Sequence, residues 1–244
     1  MKIVRFRWGS QAVYGVLEGE TIYSLEGEPF GEFRRGQEKF PLRDVRLLAP
    51  VQPSKVVAVG QNYHGPLDEP LLFLKSSTAV TGPLEPIVYP SISKDVVLGP
   101  ELAAIIKRPA RNVSVEEAWG CVLGYACAND VTARDLYEKD HRRPRGKTFD
   151  TFCPLGPYIE TELDPGNLAI RSRVNGQLKQ DDSTSKMQFS VAELIHHFSK
   201  VVTLLPGDVL LTGSPGTAPI HPGDTVEIEI QGLGVLRNPV VAGP

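Results

Sequence analysis

Short apolar runs, each bounded by turn residues, constrain the fold of this 244-residue chain more than any other feature. The runs are rich in Val, Ile, Leu and Thr, which favour β-strands because their side chains pack well on a pleated surface. Two Pro-Gly-Asp triplets, at 206–208 and 222–224, precede two of the runs and indicate tight turns. The chain is therefore expected to be mainly β. The predicted strands are residues 55–60, 102–106, 121–129, 168–174, 209–212 and 225–230.

The N-terminal part of the chain has the same character. Its apolar runs alternate or are β-branched, and Gly and charged residues separate them. Pro50 and Pro53 follow an apolar run and indicate a break in the chain. We therefore expect a small N-terminal β module at residues 1–52 and a larger domain at residues 53–244. The predicted strands of the module are residues 3–8, 12–17 and 21–25.

Two capping boxes predict short helices within this mainly β chain. Ser114 has Glu117 three residues later, and Ser190 has Glu193 at the same spacing. In this arrangement the two side chains satisfy backbone N–H groups that the helix start leaves free. With so few helices a doubly wound parallel sheet is disfavoured, and the expected class is α+β. The apolar face predicted for the second helix consists of Leu194, Ile195, Phe198, Val201 and Val202.

Charge and hydropathy argue against several classes of partner. The formal net charge is −3 and no long block of one sign occurs, so neither nucleic acid nor an anionic membrane is favoured. The N-terminus carries charges rather than an apolar segment, and no later stretch approaches the roughly 20 apolar residues that span a bilayer. We expect a cytoplasmic protein that binds a small molecule.

The cysteines and glycines argue against other classes of site. Cys121, Cys127 and Cys153 are odd in number and form no Cys-x-x-Cys pair, which disfavours a disulfide framework and a zinc site. We predict buried thiols, because free cysteine usually behaves as a small apolar residue. Neither a Gly-x-Gly-x-x-Gly motif nor a Walker loop is present, so a nucleotide cofactor is not indicated.

The middle of the chain carries two long motifs in close succession. Residues 124–135 are Gly-Tyr-Ala-Cys-Ala-Asn-Asp-Val-Thr-Ala-Arg-Asp, and residues 146–157 are Gly-Lys-Thr-Phe-Asp-Thr-Phe-Cys-Pro-Leu-Gly-Pro. Together with shorter motifs they resemble the core of the fumarylacetoacetate hydrolase family over residues 55–240. The resemblance implies the mixed β-sandwich roll of that family's C-terminal domain, preceded here by the small N-terminal β module. The shorter motifs lie at residues 72–75, 101–103, 174–176, 205–210 and 212–215.

The resemblance implies a divalent cation, Mg²⁺ or Mn²⁺, held by a Glu-x-Glu pair and an Asp. A hard cation prefers oxygen ligands, and its open positions can chelate a 2-oxo acid and stabilise an enolate. Asp130 matches the family Asp and Glu101 the second Glu, but Gly99 stands at the first Glu. Water, Asp95 or Glu69 could supply the missing ligand, or the ion binds weakly. The alternative is that Glu101 and Asp130 are ordinary carboxylates at strand ends.

The loop at residues 60–66 resembles the family's Gly-x-Asn-Tyr loop but departs from it at one position. The family commonly has a His four residues after the Asn, paired with a Glu to activate water, and Pro66 stands at that position. His64 is the candidate catalytic residue of this loop, with Glu69 as a possible partner, although the spacing differs. The alternative is an exposed or loop-bracing His. Hydrolysis that needs such a base is disfavoured, whereas isomerisation and decarboxylation need no hydrolytic water.

A basic segment before the second long motif contains further candidates. Lys147 falls on the family's active-site lysine, which can hold a substrate oxyanion or move a proton. The alternative is a solvated lysine that ends the basic run at residues 139–147. Arg142, Arg143 and Arg145 could each bind the second carboxylate of a dicarboxylic substrate with two parallel donors, and we name Arg143 as the candidate.

Two more motifs supply candidate substrate-binding residues. Thr212, Gly213 and Ser214 resemble the family's Thr-Gly-Thr-Pro turn, in which a hydroxyl group and backbone amides face the substrate carboxylate. Lys75 matches the family lysine that follows Leu-Phe, and it either lines the site or forms a structural ion pair.

The resemblance favours an isomerase or decarboxylase of aromatic ring-cleavage products, such as the homoprotocatechuate branch that processes 5-carboxymethyl-2-oxo-hex-3-ene-1,7-dioate and 2-hydroxyhepta-2,4-diene-1,7-dioate. The substrate would be a 2-oxo dicarboxylic acid that reacts through a metal-chelated enolate. An acylpyruvate or fumarylpyruvate hydrolase is the alternative enzyme. A metal-free structural subunit that partners an active paralogue is the alternative of another class. A homodimer, or association with a related subunit, is expected.

Overall fold

The protein is described by a computed structural model that covers residues 1–141 and 144–244. Strands dominate the described residues, as the turn-bounded apolar runs predict. The strands are β1 Lys2–Trp8, β2 Gln11–Glu18, β3 Thr21–Gly27, β4 Phe33–Pro41, β5 Arg46–Leu48, β6 Val56–Gly60, β7 Leu71–Lys75, β8 Val80–Thr81, β9 Ile87–Tyr89, β10 Val96–Leu98, β11 Pro100–Ile106, β12 Val122–Asn129, β13 Thr132–Ala133, β14 Cys153–Glu160, β15 Ala169–Val174, β16 Gln177–Ser183, β17 Val209–Leu211, β18 Ala218–Pro219, β19 Thr225–Ile230 and β20 Gly234–Ala242.

The helices of the described residues are few and short. Both predicted capping boxes are present, at Ser114 before α1 and at Ser190 before α3. Helix α2 was not predicted, because its N-cap residue Ala133 makes no side-chain capping hydrogen bond that a sequence could show. The α-helices are α1 Val115–Ala118, α2 Arg134–Lys139 and α3 Val191–Val201. The 3₁₀ helices are Leu42–Asp44, Ser77–Ala79, Trp119–Cys121, Pro144–Lys147, Pro165–Asn167 and Thr184–Lys186.

One large sheet joins the N-terminal strands to strands from later in the chain. Its strands run in the order β4-β3-β2-β1-β14-β12-β11-β17-β6-β7, with β5 added to β1 and β8 to β14. Strand β1 of the N-terminal segment pairs with β14 through the partners Lys2 with Glu160 and Ile3 with Ile159. The N-terminal strands therefore extend the sheet formed by β6, β7, β11, β12, β14 and β17 of the larger predicted domain, and the boundary at residue 52 stays a prediction.

A second sheet, in the order β16-β15-β19-β20-β9, packs against the large one and closes the main core. Helix α3 adds Leu194, Ile195 and Phe198 to this core, which confirms that part of its predicted apolar face. The prediction was wrong for Val201, which is 76% exposed. Val202, the C-cap residue that follows α3, is partly buried and packs against the core, so Val201, the last residue of the helix, is the member that departs from the predicted face.

Both Pro-Gly-Asp triplets form turns, with Gly207 at φ +84° and Gly223 at φ +96°. Glycine adopts this left-handed conformation without the steric penalty that a Cβ atom brings. Each turn leads into a predicted strand, β17 or β19. The three cysteines are free and buried, as predicted. Among the described residues, no helix combines the length and the apolar character needed to cross a bilayer.

Candidate functional site

Two acidic residues that are distant in sequence meet where β11 begins and β12 ends. The two strands are antiparallel neighbours, and Pro100 lies opposite Asn129 while Glu101 lies opposite Ala128. Asp130 directly follows Asn129, so its side chain comes to the same end of the sheet as Glu101. Both carboxylates are buried, Glu101 with 1% and Asp130 with 5% exposure. A buried carboxylate needs compensating partners, because loss of water disfavours its charged form.

Two lysines supply that compensation. The Nζ atom of Lys75, the last residue of β7, lies 2.6 Å from Asp130 Oδ1 and 3.1 Å from the carbonyl oxygen of Val131. Lys147, at the end of the 3₁₀ helix Pro144–Lys147, donates to the other oxygen of Asp130. We call Lys75, Glu101, Asp130 and Lys147 the lysine–carboxylate cluster. The structure thus brings together four of the predicted site residues.

The two carboxyl groups of the cluster differ in their affinity for protons. Burial raises the pKa of Glu101 well above its usual value, and the charge of Asp130 raises it further. Burial would also raise the pKa of Asp130, but the ammonium groups of Lys147 and Lys75 outweigh it and hold this pKa below its usual value. Two titratable groups with pKa values driven apart are a common arrangement for proton transfer.

The turn at residues 212–214 closes one side of the cluster. The backbone N–H of Gly213 donates to Glu101 Oε2 at 2.7 Å. The Thr212 hydroxyl donates to the carbonyl oxygen of Leu102 at 2.9 Å, and the Ser214 hydroxyl donates to that of Gly216 at 2.6 Å. Of the three residues predicted to bind a substrate carboxylate, Gly213 therefore contacts the cluster, whereas both hydroxyl groups donate to the backbone. Their substrate-binding role stays a prediction.

Aromatic rings flank the exposed end of the cluster. The Nζ atom of Lys147 lies 5.1 Å from the ring centroid of Phe73 and 5.6 Å from that of Tyr137. An ammonium group over an aromatic face is attracted by the negative face of the ring. The Lys147 side chain is 14% exposed, whereas that of Lys75 is fully buried. Lys147 is therefore the lysine that a substrate can reach.

Sequence reasoning missed Tyr63, whose hydroxyl group is buried and has no hydrogen-bond partner among the described residues. Burial and then the charges of Glu101 and Asp182 raise the pKa of Tyr63, so the phenol remains protonated and can donate a hydrogen bond. Its neighbour Asn62 fixes the loop by donating to the carbonyl oxygens of Phe189 and Thr212. The signal was present in the Gly-x-Asn-Tyr motif, but a Tyr side chain alone does not reveal where its hydroxyl group lies.

His64 and Glu69 do not form the pair that the sequence allowed for. Both residues are exposed, and no ion pair joins them within the described part of the chain. A hydrogen bond from Lys186, helped by the charge of His64, lowers the pKa of Asp182, whereas Glu69 lies near His197, whose pKa is lowered overall by burial. The two side chains therefore act on different neighbours. The catalytic role named for His64 stays a prediction that this geometry does not support.

Of the three arginine candidates in the basic segment, Arg145 lies within the described residues. Arg142 and Arg143, the latter the named candidate for the second substrate carboxylate, lie outside the described residues. Arg145 forms a two-point ion pair with Asp140, with Nε 2.5 Å from Oδ2 and Nη2 2.6 Å from Oδ1. Because its parallel donors are occupied by a carboxylate of the protein, Arg145 does not present them to a substrate.

The residues present do not fit the three-carboxylate cation site that the motifs imply. No group of three or more His, Cys, Asp or Glu residues that could hold a metal ion occurs in the described parts of the chain. Of the replacements considered, Glu69 is exposed, and Asp95 forms a two-point ion pair with Arg134. Within the described residues, Glu101 and Asp130 are thus the two carboxylates of this cluster, and lysines already occupy both oxygens of Asp130.

A cavity of about 470 Å³ lies elsewhere, between the N-terminal strands and the segment around residues 77–81. Arg5, Arg7 and Thr78 line it, and its lining contains no member of the lysine–carboxylate cluster. The candidate site is therefore assigned from charged and polar side chains that converge, together with their altered pKa values, rather than from the size of a cavity.

Two family models match the chain. The model described as fumarylacetoacetate (FAA) hydrolase C-terminal matches residues 47–241. The model described as Rv2993c-like, N-terminal, matches residues 1–50. Among curated relatives, protein Rv2993c of Mycobacterium tuberculosis is 41% identical over 99% of this chain and 98% of its own length. Oxaloacetate tautomerase fahd2, mitochondrial, of Xenopus laevis is 42% identical over 81% of this chain and 69% of its own length.

Solved structures are similar over almost the whole chain. The 2-hydroxyhepta-2,4-diene-1,7-dioate isomerase from Mycobacterium marinum has a TM-score of 0.95 and 44% identity, covering 99% of this chain and 98% of its own. The 5-carboxymethyl-2-hydroxymuconate delta-isomerase from Mycobacterium smegmatis has a TM-score of 0.96 and 43% identity, covering 100% of both chains. Maleylpyruvate hydrolase from Sphingobium sp. SYK-6, in complex with manganese(II) and pyruvate, has a TM-score of 0.85 and 31% identity, covering 100% of both.

Proposed function

The chain belongs to the fumarylacetoacetate hydrolase family, and from that premise we propose that it isomerises a 2-oxo dicarboxylic acid through its enol. The fold class expected from the sequence, mainly β with few short helices, is that of the family. Relatives with isomerase, tautomerase and hydrolase names occur in this family, so the family alone leaves the reaction open. The observation that carries the proposal is Lys147, a reachable ammonium group beside two buried carboxylates.

The proposed reaction needs only a proton that moves between carbon and oxygen. In the enol-to-keto direction, the Lys147 ammonium group protonates the carbon end of the enol. The electron pair of the enol O–H bond forms the carbonyl group, and the neutral Lys147 amine takes up the proton released from oxygen. Lysine ends the cycle as it began, and no oxidant, reductant or water is consumed. A positioned side chain of this kind typically contributes about 10²- to 10⁴-fold to a proton-transfer rate.

The preferred substrate class is an unsaturated dicarboxylic acid from aromatic ring cleavage. Two similar structures carry names of isomerases for unsaturated 2-hydroxy acids, one a diene-dioate at 44% identity and one a carboxymethyl-muconate, with a third carboxylate, at 43% identity. Decarboxylation belongs to the same proposal, because loss of CO₂ from a 3-oxo carboxylate leaves an enolate that takes up one proton. In a substrate with two carboxylates, one carboxylate lies next to the keto carbon and the other needs a separate cationic side chain. We keep Arg143 as the candidate for binding this second carboxylate.

Oxaloacetate is the second candidate substrate, and a specific finding favours it. A relative with 42% identity is named an oxaloacetate tautomerase. Oxaloacetate is itself a 2-oxo dicarboxylic acid with an enol form, so the proton transfer described for Lys147 applies to it unchanged. Hydrolysis of an acylpyruvate is less favoured, because among the described residues His64 and Glu69 form no ion pair with each other that could serve as a paired base for water.

The proposal is tested by comparing three proteins on both substrates. Wild type should convert the enol of oxaloacetate and 2-hydroxyhepta-2,4-diene-1,7-dioate to their keto forms, as measured by the loss of enol absorbance. Lys147→Met should lower kcat/KM by roughly 10²- to 10⁴-fold. Lys200→Met, an exposed lysine on α3, is the matched control and should leave the rate unchanged. Isomerisation by Lys147→Met at the wild-type rate would show that Lys147 does not carry the proton.

A further outcome separates the remaining alternatives. Hydrolysis of an acylpyruvate without isomerisation would favour the hydrolase. Inactivity on every substrate would favour a structural subunit, which should then bind an active paralogue in a mixed-subunit gel filtration experiment. We propose a homodimer for the isolated chain, supported by Leu71 and Leu74, which are exposed on the edge strand β7. Light scattering on the purified protein measures this mass directly.

A further inference from the structure

The lysine–carboxylate cluster has no net negative charge to offer a cation. Even with both carboxylates ionised, Glu101 and Asp130 contribute at most two negative charges, and the two positive charges of Lys75 and Lys147 match them. A dication gains its binding energy from net negative charge and from free oxygen atoms. Lysines occupy both oxygens of Asp130, and the backbone N–H of Gly213 occupies Oε2 of Glu101. One carboxylate oxygen, Glu101 Oε1, has no hydrogen bond among the described residues.

Gly99 shows where a third carboxylate would enter. It is buried, and its carbonyl oxygen accepts a hydrogen bond from the backbone N–H of Asp130 at 2.8 Å. A Cβ atom on Gly99 would lie 3.1 Å from the carbonyl oxygen of Asp130 and 3.5 Å from the side chain of Ser214. A side chain at this position would thus start beside the cluster. A third carboxylate would give the cluster more negative than positive charges. Because glycine has no side chain, the cluster lacks this third carboxylate.

The unpartnered hydroxyl group of Tyr63 is complementary to an anion. It is buried, lacks a hydrogen-bond partner among the described residues, and lies close enough to Glu101 for that charge to raise the pKa of Tyr63. A protonated phenol donates to an oxygen atom of a ligand and is a poor ligand for a hard cation. Lys147 also retains N–H donors, because the described residues accept one hydrogen bond from it. Both groups therefore suit an enolate oxygen or a carboxylate.

We propose that this chain binds its 2-oxo acid without a resident divalent cation, with the ammonium group of Lys147 and the hydroxyl group of Tyr63 taking the oxygen atoms of the substrate. This inference rests on the proposed function for the identity of the substrate. Lys75 keeps Asp130 charged and in position, so that Lys147 can turn from Asp130 towards the substrate. In this chain the ammonium groups of Lys75 and Lys147 replace the cation as the source of positive charge beside a forming enolate.

The first experiment measures cation binding directly by titration calorimetry with Mn²⁺. Wild type should give no binding heat up to millimolar Mn²⁺ and no change in Tm. Gly99→Glu adds the missing carboxylate and should bind Mn²⁺, with a rise in Tm. Gly99→Gln is the matched control, since it has the same shape without the charge, and should behave as wild type. Submillimolar binding of Mn²⁺ by wild type would overturn the proposal. A folded Gly99→Glu protein that binds no Mn²⁺ would refute the inference that the missing carboxylate is what prevents cation binding.

The second experiment measures binding of oxalate, a mimic of the enolate of a 2-oxo acid, in buffer that contains EDTA. Wild type should bind oxalate, and Lys147→Met and Tyr63→Phe should each weaken binding, by roughly 10- to 100-fold for the charged hydrogen bond of Lys147. Oxalate binding that appears only after Mn²⁺ is added would overturn the proposal. Turnover that EDTA abolishes and Mn²⁺ restores would also overturn it while leaving the proposed function intact. Oxalate binding without any turnover would instead refute the proposed function alone.

Discussion

Lys75 illustrates at the residue scale how a charged side chain can be structural and functional at once. Its side chain has no exposure, and its ammonium group donates to Asp130 and to the carbonyl oxygen of Val131. A buried ion pair is costly to form but more costly to break, because removal of one partner leaves an uncompensated charge. Asp130 therefore depends on Lys75 for stability and on Lys147 for chemistry.

Substitution of the two lysines should separate these contributions. Lys75→Met should lower the free energy of unfolding by about 3–5 kcal/mol, because it leaves the buried Asp130 with one cation. Lys147→Met should cost about 1.5–3 kcal/mol, the range for a hydrogen bond to a charged group, since Lys75 still compensates Asp130. Urea unfolding measures both. Equal losses of stability would contradict the assignment of Lys75 as the structural partner.

The buried thiols give a second prediction at this scale. Burial raises the pKa of both Cys127 and Cys153 to about 12. The thiolate is the reactive form, so neither residue should react with a thiol reagent at pH 8 while the protein is folded. Ellman's reagent should detect all three cysteines only after unfolding in guanidinium chloride. Rapid modification of Cys153 in the native protein would show that solvent reaches the cluster beside it.

At the scale of elements, the two Pro-Gly-Asp turns differ in how much their aspartates stabilise the fold. Both Pro-Gly-Asp turns precede a strand, but Asp208 is completely buried whereas Asp224 is partly exposed. Asp208 accepts hydrogen bonds from the backbone of Ser54, Lys55 and Leu205, and Lys55 Nζ lies 2.5 Å from it. This aspartate thus ties the turn before β17 to the start of β6, its parallel neighbour in the sheet.

Alanine substitution should reveal this difference. Asp208→Ala should cost about 3–5 kcal/mol, because several buried donors and Lys55 lose their acceptor. Asp224→Ala should cost about 1–2 kcal/mol, since it loses hydrogen bonds from His221 and Asn175 near the surface. The free energy of unfolding in urea measures both changes, and a larger loss for Asp224→Ala would refute the role given to Asp208.

At the scale of the whole molecule, the N-terminal strands and the larger domain share one sheet and are also linked by side chains. Glu85 accepts hydrogen bonds from the Thr81 hydroxyl and the Gly82 N–H, and its other oxygen lies 2.7 Å from Arg46 Nη2 on β5. Because β5 pairs with β1, this carboxylate connects the N-terminal strands to the segment around β8. The side chain of Glu85 is 26% exposed, so this link lies partly in solvent.

This connection should weaken in acid. Burial would raise the pKa of Glu85, but hydrogen bonds from Gly82 and Thr81 and the charge of Arg46 outweigh it and lower the pKa below the ordinary 4.5. Since the unfolded chain takes up the proton at the higher pH, the stabilisation is complete above 4.5 and is lost as the pH falls through the lower folded-state value. Glu85→Gln should therefore be less stable than wild type at pH 7 and lose less stability on acidification. Parallel pH profiles of the two Tm values would contradict this link.

The sequence by itself indicated the mainly β class, nine of the strands, the two capped helices and the family, because these depend on local patterns of apolar, turn and capping residues. The motifs also identified Glu101, Asp130, Lys75 and Lys147 as candidates. Strand β14 and helix α2 could not be predicted in the same way, since β14 gains its place from pairing with β1 and β12 and α2 lacks a capping side chain.

Only the tertiary structure decided how the candidates meet. Sequence spacing carries no information on which lysine loses its water, so the burial of Lys75 and the exposure of Lys147 follow from the packing around Asp130. The same holds for Tyr63, whose unpartnered hydroxyl group exists because the loop fixed by Asn62 places it there. Charges and donors act over a few ångströms, and distances of that size between remote residues are set by packing, not by the order of residues along the chain.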